Sequence, residues 1–179
     1  QNPTILMDGD GVDIDGDGQA DSRINPDSLH FGQNGEVYLE QQFNSFHNFP
    51  IETNLDSLNA DIAIIGIPFG DPYSMGEASN DQAFAPTHIR QHCGRALRGL
   101  DRYDFDIGGT LLDGKEIKVV DCGDVVGIAK DVAGNHARSE QVIRKILASG
   151  ALPIILGGDH AIPIPVFRAY EGRGPITLI

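Results

Sequence analysis

Gly157-Gly158-Asp159-His160 places a histidine directly after a short apolar run, Leu152 to Leu156. Two glycines permit a tight turn where a buried strand stops. The histidine is then presented at the strand's carboxyl end, which is where open α/β sheets bind their ligands. Imidazole ligates Mn, Ni, Zn or Fe, and carboxylates complete sites for harder cations. His160 is therefore the leading candidate metal ligand, with Asp159 placed to orient the turn or the imidazole. Taken alone, a histidine after a glycine pair is more often a capped or core residue, so its surroundings must decide.

A second set of carboxylates lies near the start. Asp13, Asp15, Asp17 and Asp21, with Gly18 between them, follow the spacing D-x-D-x-D-G-x-x-D, the opening of an EF-hand-like calcium loop. The twelfth position of such a loop would be Ile24 instead of a bidentate Glu. A weak calcium site and a flexible acidic tail both remain open. Asp121 and Asp124 form a third set, at the end of an apolar run, and are read as structural.

The elements that position these groups can be traced along the chain. Residues 1–60 lack long periodicity and read as an irregular acidic extension; from residue 61 onward, strands and helices alternate. Ile62 to Ile67 (IAIIGI) is nearly continuous in apolar residues, as a strand covered on both faces should be. Pro86 opens a helix in its first turn, with Ile89, Cys93, Ala96, Leu97 and Leu100 at helical spacing. Ile117 to Val120 is a second strand. Asn135 is the expected N-cap of a helix whose stripe is Val142, Ile143, Ile146 and Leu147, closed by Gly150. Leu152 to Leu156 is a third strand, followed by a short helix with Pro163 in its first turn, and Ile176 to Ile179 begins a fourth. Strands separated by helices imply a mainly parallel sheet in a three-layer α/β/α sandwich. The sequence stops inside that fourth strand and reads as truncated there.

Composition narrows the classes of function. The 179 residues carry 13 Lys+Arg against 26 Asp+Glu, a formal net charge of −13. Such a surface repels nucleic acid and draws in a small cation. No apolar run reaches the roughly eighteen residues of a membrane span, and no basic start with an apolar stretch marks a signal peptide. Position 1 is Gln, so an upstream piece is expected to be missing. Cys93 and Cys122 do not form a C-x-x-C pair and read as thiols of a reducing, cytoplasmic compartment.

Four ordered segments together carry a resemblance. IAIIGIPFG, A-P-T-H-I-R at residues 85 to 90, KVVDCGDVV and IILGGDHAIPIPVFRAY are similar, in order and spacing, to segments of the arginase/agmatinase (ureohydrolase) family. The resemblance runs from Asp61 to Ile179. It implies an arginase-like fold and a metal-dependent hydrolase cleaving C–N bonds in linear amidines. Two divalent ions, manganese or alternatively nickel, would be bridged by a hydroxide that attacks a guanidinium carbon and releases urea. It also implies a homo-oligomer, trimer or hexamer. His160 carries over as a ligand. The family's D-A-H-x-D and D-x-D-x-x-D-P motifs, which supply the other ligands, do not occur in these 179 residues. A non-catalytic partner subunit of a ureohydrolase oligomer is the alternative, and an extracellular calcium-binding module a more distant one.

One departure bears on substrate. Typical agmatinases carry S-G-x-R-x-G-P before the first helix, whereas residues 71–86 here read DPYSMGEASNDQAFAP. Glu77, Asn80 and Asp81, with Gln82, offer acceptors for a compact cationic guanidino substrate. This pattern is closer to the guanidine hydrolase branch. A plain surface loop is the competing reading.

Overall fold

The computed structural model describes residues 4–5, 12–13, 29–31, 37–40, 45–70, 81–96 and 102–177. Short strands β1 (Thr4–Ile5) and β2 (Val12–Asp13) pair antiparallel. The main sheet comprises β3 (Leu29–Phe31), β4 (Val37–Glu40), β5 (Ile62–Ile67), β6 (Val119–Val125) and β7 (Leu152–Gly157), in the order β3-β4-β6-β5-β7. β5 runs parallel to both β6 and β7, while β3 and β4 add an antiparallel wing on the β6 side. The stretch expected to be irregular before residue 60 thus lends two strands to the sheet. Its pattern hid them because they are only 3 and 4 residues long.

The chain leaves β5, forms α1 (Ala85–Ala96) and returns as β6. It then forms α2 (Val132–Ser149) and crosses β5 to become β7, followed by α3 (Pro163–Ala169). These two crossovers step in opposite directions from β5. Because crossovers are right-handed, α1 and α2 must lie on opposite faces. Packing agrees. Ala63, Ile65 and Ile67 of β5 share one buried cluster with Val142, Ile143 and Ile146 of α2. Ile64, on the alternate face, packs with Val119, Leu156, Phe46 and Phe49. Arg90 of α1 reaches Asp121, the β6 partner of Ile64, on that same second face.

Local departures from expectation have identifiable causes. β6 continues through Asp121, Cys122, Gly123 and Asp124 to Val125, well past Val120. Asp131, not Asn135, caps α2: its carboxylate accepts from the backbone N of Gly134 at 3.0 Å. Asn135 lies buried inside the helix, where its side chain accepts from Ile128 N and donates to Ile128 O, both at 2.8 Å. That pairing fixes the β6–α2 loop. On α1, Ile89 points outward and Arg90 inward, so Ile89 does not belong to the buried face, which Pro86 and Arg90 form with part-buried Cys93. Gly150 closes α2 in the left-handed region at φ 91°, as expected. Ile176 and Thr177 have no regular structure, so the expected fourth strand is absent there, and Leu178 and Ile179 fall outside the described residues. No described helix is long and apolar enough to cross a membrane.

Candidate functional site

The carboxyl ends of β5, β6 and β7 lie side by side, and their loops are laced together by Pro68 and Phe69. The carbonyl of Phe69 accepts from the backbone N of Asp159 at 3.1 Å. A Cβ on Gly158 would sit 1.8 Å from that same oxygen, so only glycine lets the turn approach this closely. On the other side, a Cβ at Gly127 would meet the carbonyl of Pro68 at 3.2 Å. The two glycine-bearing loops therefore clasp the post-β5 segment between them. Beneath it, the buried ring of Phe69 meets the ring of His136 edge-on, with centroids 5.4 Å apart. Nε2 of His136 is buried and has no hydrogen-bond partner among the described residues.

This scaffold presents His160 in the turn that precedes α3. Its imidazole is exposed and has no hydrogen-bond partner among the described residues. Asp159 is half-buried, and its Oδ1 accepts from Ala161 N at 2.9 Å, which bends the chain toward α3. The carboxylate thus helps to shape the turn. A mainly apolar cavity of about 360 Å³ lies alongside, bounded by Ile155, Gly157, Asp159, His160, Ile162 and Phe167, among others.

For a divalent metal the turn offers one donor of suitable type: an exposed imidazole, without a hydrogen-bond partner among the described residues, at a strand's carboxyl end. Among the described residues, no group of three or more His, Cys, Asp or Glu converges to complete a shell. The fit is therefore that of one ligand.

Of the other residues singled out, Asp81 is exposed and begins the 3₁₀ turn Asp81–Phe84. The neighbouring Gln82 carbonyl passes 3.2 Å from where a Gly158 Cβ would be, so this turn abuts the one that holds His160. Glu77 and Asn80 lie outside the described residues. So do Asp15, Asp17 and Asp21, while Asp13 ends β2.

The cluster that sequence reasoning missed is built on Arg90. Its Nε and Nη2 donate to the two oxygens of Asp121 at 2.8 and 2.9 Å, Nη1 donates to Asp124, and Nη2 also donates to Gly123 O at 2.8 Å. All three side chains are almost fully buried. Both carboxylates face α1 because β6 carries an extra residue: Ile64 pairs with Asp121 but Gly66 pairs with Asp124, two steps against three. Gly123, at φ 78°, absorbs the bulge. Asp121 gains two further donors, Phe46 N at 2.7 Å and Gly123 N at 2.9 Å. One guanidinium is shared between two carboxylates, and burial pushes the Asp124 carboxyl above its ordinary range despite Arg90's charge. Only the fold turns Arg90 inward, four residues after buried Pro86, so no local sequence signal marked it.

Comparison with known proteins accords with this geometry. Residues 60–179 match the arginase family. A formimidoylglutamase from Halalkalibacterium halodurans is 34% identical over 114 residues, covering 62% of this chain and 34% of that protein. The mitochondrial agmatinase of Gallus gallus is 30% identical over 136 residues, covering 75% of this chain and 37% of that protein. The solved structure of proclavaminate amidino hydrolase from Streptomyces clavuligerus superposes with a TM-score of 0.56 at 24% identity, covering 74% of this chain and 40% of that one. The chain spans well under half the length of each of these relatives. Fold, motif order and sequence agree: this chain belongs to the arginase family.

Proposed function

We propose that the chain is part of a binuclear-metal hydrolase that cleaves a guanidino or amidine C–N bond and releases urea, with His160 holding one of two divalent ions. The observation that carries this reading is the exposed imidazole, without a hydrogen-bond partner among the described residues, on a turn fixed by Gly158, Asp159 and Phe69 in a member of the arginase family. Manganese is the expected metal, with nickel as the alternative. When bound, such a pair supplies Lewis acidity and an acidified water at neutral pH. The chain's own contribution is positional. The Phe69–Asp159 bond and the Asp159–Ala161 bond hold the turn, and the β5 and β6 loops flank it.

The substrate is proposed to be a compact cation, guanidine or a small substituted guanidine, in place of agmatine. Residues 71–82, with Tyr73, Met75, Glu77, Asn80 and Asp81, replace the S-G-x-R-x-G-P stretch of ordinary agmatinases. The 3₁₀ turn that ends this segment packs beside Gly158. A site built on carboxylate and amide acceptors discriminates strongly, because a wrong substrate leaves buried polar groups unpaired.

Two measurements on the protein carrying this chain test the proposal. His160→Ala should lose one of two metals by elemental analysis and lower urea release by orders of magnitude. Unchanged metal content with near-parental turnover refutes the metal assignment. Separately, kcat/KM for guanidine should exceed that for agmatine. A tenfold preference for agmatine, about 1.4 kcal/mol of transition-state binding, restores the agmatinase reading.

A further inference from the structure

A second set of imidazoles lies on α1, on a different element from His160. His88 and His92 are four residues apart, on the same exposed face of the helix. Their rings are nearly parallel, 13° between planes, with centroids 6.4 Å apart. Both residues are exposed, so their ring nitrogens can be reached by a ligand.

We propose that His88 and His92 form a two-imidazole chelate for a borderline divalent transition ion of the Ni²⁺, Cu²⁺ or Zn²⁺ type. Helical i, i+4 spacing stacks two side chains one above the other, and it is the spacing by which helical histidines grip one metal. Imidazole selects these ions over Mg²⁺ and Ca²⁺, which prefer oxygen. Nitrogen–metal distances of about 2.1 Å would bring the two ring centroids to about 5 Å. The observed 6.4 Å closes to that value by rotation of exposed side chains, which hop between rotamers freely. The net charge of −13 raises the local concentration of any dication. Water would fill the remaining coordination positions, giving a modest, reversible site.

The site has a mechanical consequence. α1 starts one residue after the 3₁₀ turn Asp81–Phe84 and carries Arg90 into the sheet. An ion bridging positions 88 and 92 ties consecutive turns of this helix together. It therefore stabilises the element on which the segment beside Gly158 is anchored.

Calorimetric titration of the purified, metal-stripped protein with NiCl₂ tests the proposal, using the parent, His88→Ala, His92→Ala and His160→Ala. Both α1 positions are exposed, so the variants should keep the parental circular dichroism spectrum. A Ni²⁺ site in the parent that weakens at least tenfold in each α1 variant, and persists in His160→Ala, supports the chelate. The same Ni²⁺ should raise the melting temperature of the parent and of His160→Ala but not of the α1 variants. The proposal is overturned if no such site exists, if either α1 variant binds like the parent, or if removing His160 abolishes the site. Failure of His160 to bind the hydrolytic metal would leave this result untouched, so the two readings fail separately.

Discussion

Replacing Arg90 with Met should be among the most damaging single changes in the chain, and its cost should depend on pH in a specified direction. The substitution removes three hydrogen bonds from two carboxylates that are 1% and 2% exposed, and a fourth from the Gly123 carbonyl. Four charge-assisted bonds at about 1.5–3 kcal/mol each would sum to about 6–12 kcal/mol, comparable to the whole stability of a domain. The observable loss is smaller because a stranded carboxyl takes up a proton. Breaking a buried pair by removing one partner costs about 3–5 kcal/mol. Asp121 keeps its bonds from Phe46 N and Gly123 N, so Asp124, held only by Arg90 among the bonds described, should be the group that protonates. Burial already holds Asp124 above its ordinary 3.8. A carboxyl raised in this way binds its proton more tightly when folded. Its contribution to stability is complete below the unfolded value and is lost as pH rises through the folded value. Removing Arg90 raises Asp124 further, so the gap between parent and variant should be widest near pH 7.5 and should narrow as pH falls toward 5. Urea denaturation followed by circular dichroism at both pH values measures this. Adding Asp124→Asn to the variant should recover part of the loss at pH 7.5, since it removes the stranded charge. A loss under about 1 kcal/mol, or a gap that widens toward acid, would refute the reasoning.

Gly158→Ala forces a Cβ against the Phe69 carbonyl, so the turn must move; metal binding at His160 and urea release should fall together, with a stability loss of about 1–3 kcal/mol. Asp131→Ala removes the N-cap of α2 and the carboxylate facing Arg138, and should cost about 1–2 kcal/mol in chemical denaturation. Burial, with the neighbouring Asp121 charge, pushes the Cys122 thiol up to about 12, so iodoacetamide at pH 8 should leave it unmodified until the protein unfolds; rapid native labelling there would contradict its place in the sheet.

How far the sequence discloses this arrangement depends on how regular each element is. Ile62–Ile67 and Leu152–Gly157 announce themselves because strands flanked by helices are apolar on consecutive positions, and α2 shows its stripe and its closing glycine. His160 stands out in the sequence only through the four ordered segments around it, since the glycine pair alone would not single it out. β6 is not legible past Val120, since its two aspartates break the apolar run and nothing local reveals that Arg90 neutralises them from 31 and 34 residues away. The cap of α2 was misplaced for a similar reason. Asn and Asp both suit that position, and only the path of the preceding loop makes Asp131 the cap and Asn135 its internal brace. β3 and β4 are too short for any period to emerge.

The bulge at Gly123 also bears on how this strand tolerates insertions and deletions. Before it, Val120 and Cys122 face the α2 cluster; after it, Val125 does, so even numbering gives way to odd. Deleting Gly123 would leave an ordinary alternating strand with the same side chains on the same faces, Asp121 and Asp124 becoming next-but-one neighbours. The ladder would absorb the deletion without turning any residue inside out, whereas a deletion at Val120 would shift every preceding residue to the opposite face. Gly123 thus behaves as a silent insertion in the strand's alternation. What the deletion would forfeit is local: the carbonyl that accepts from Arg90 and the amide that donates to Asp121.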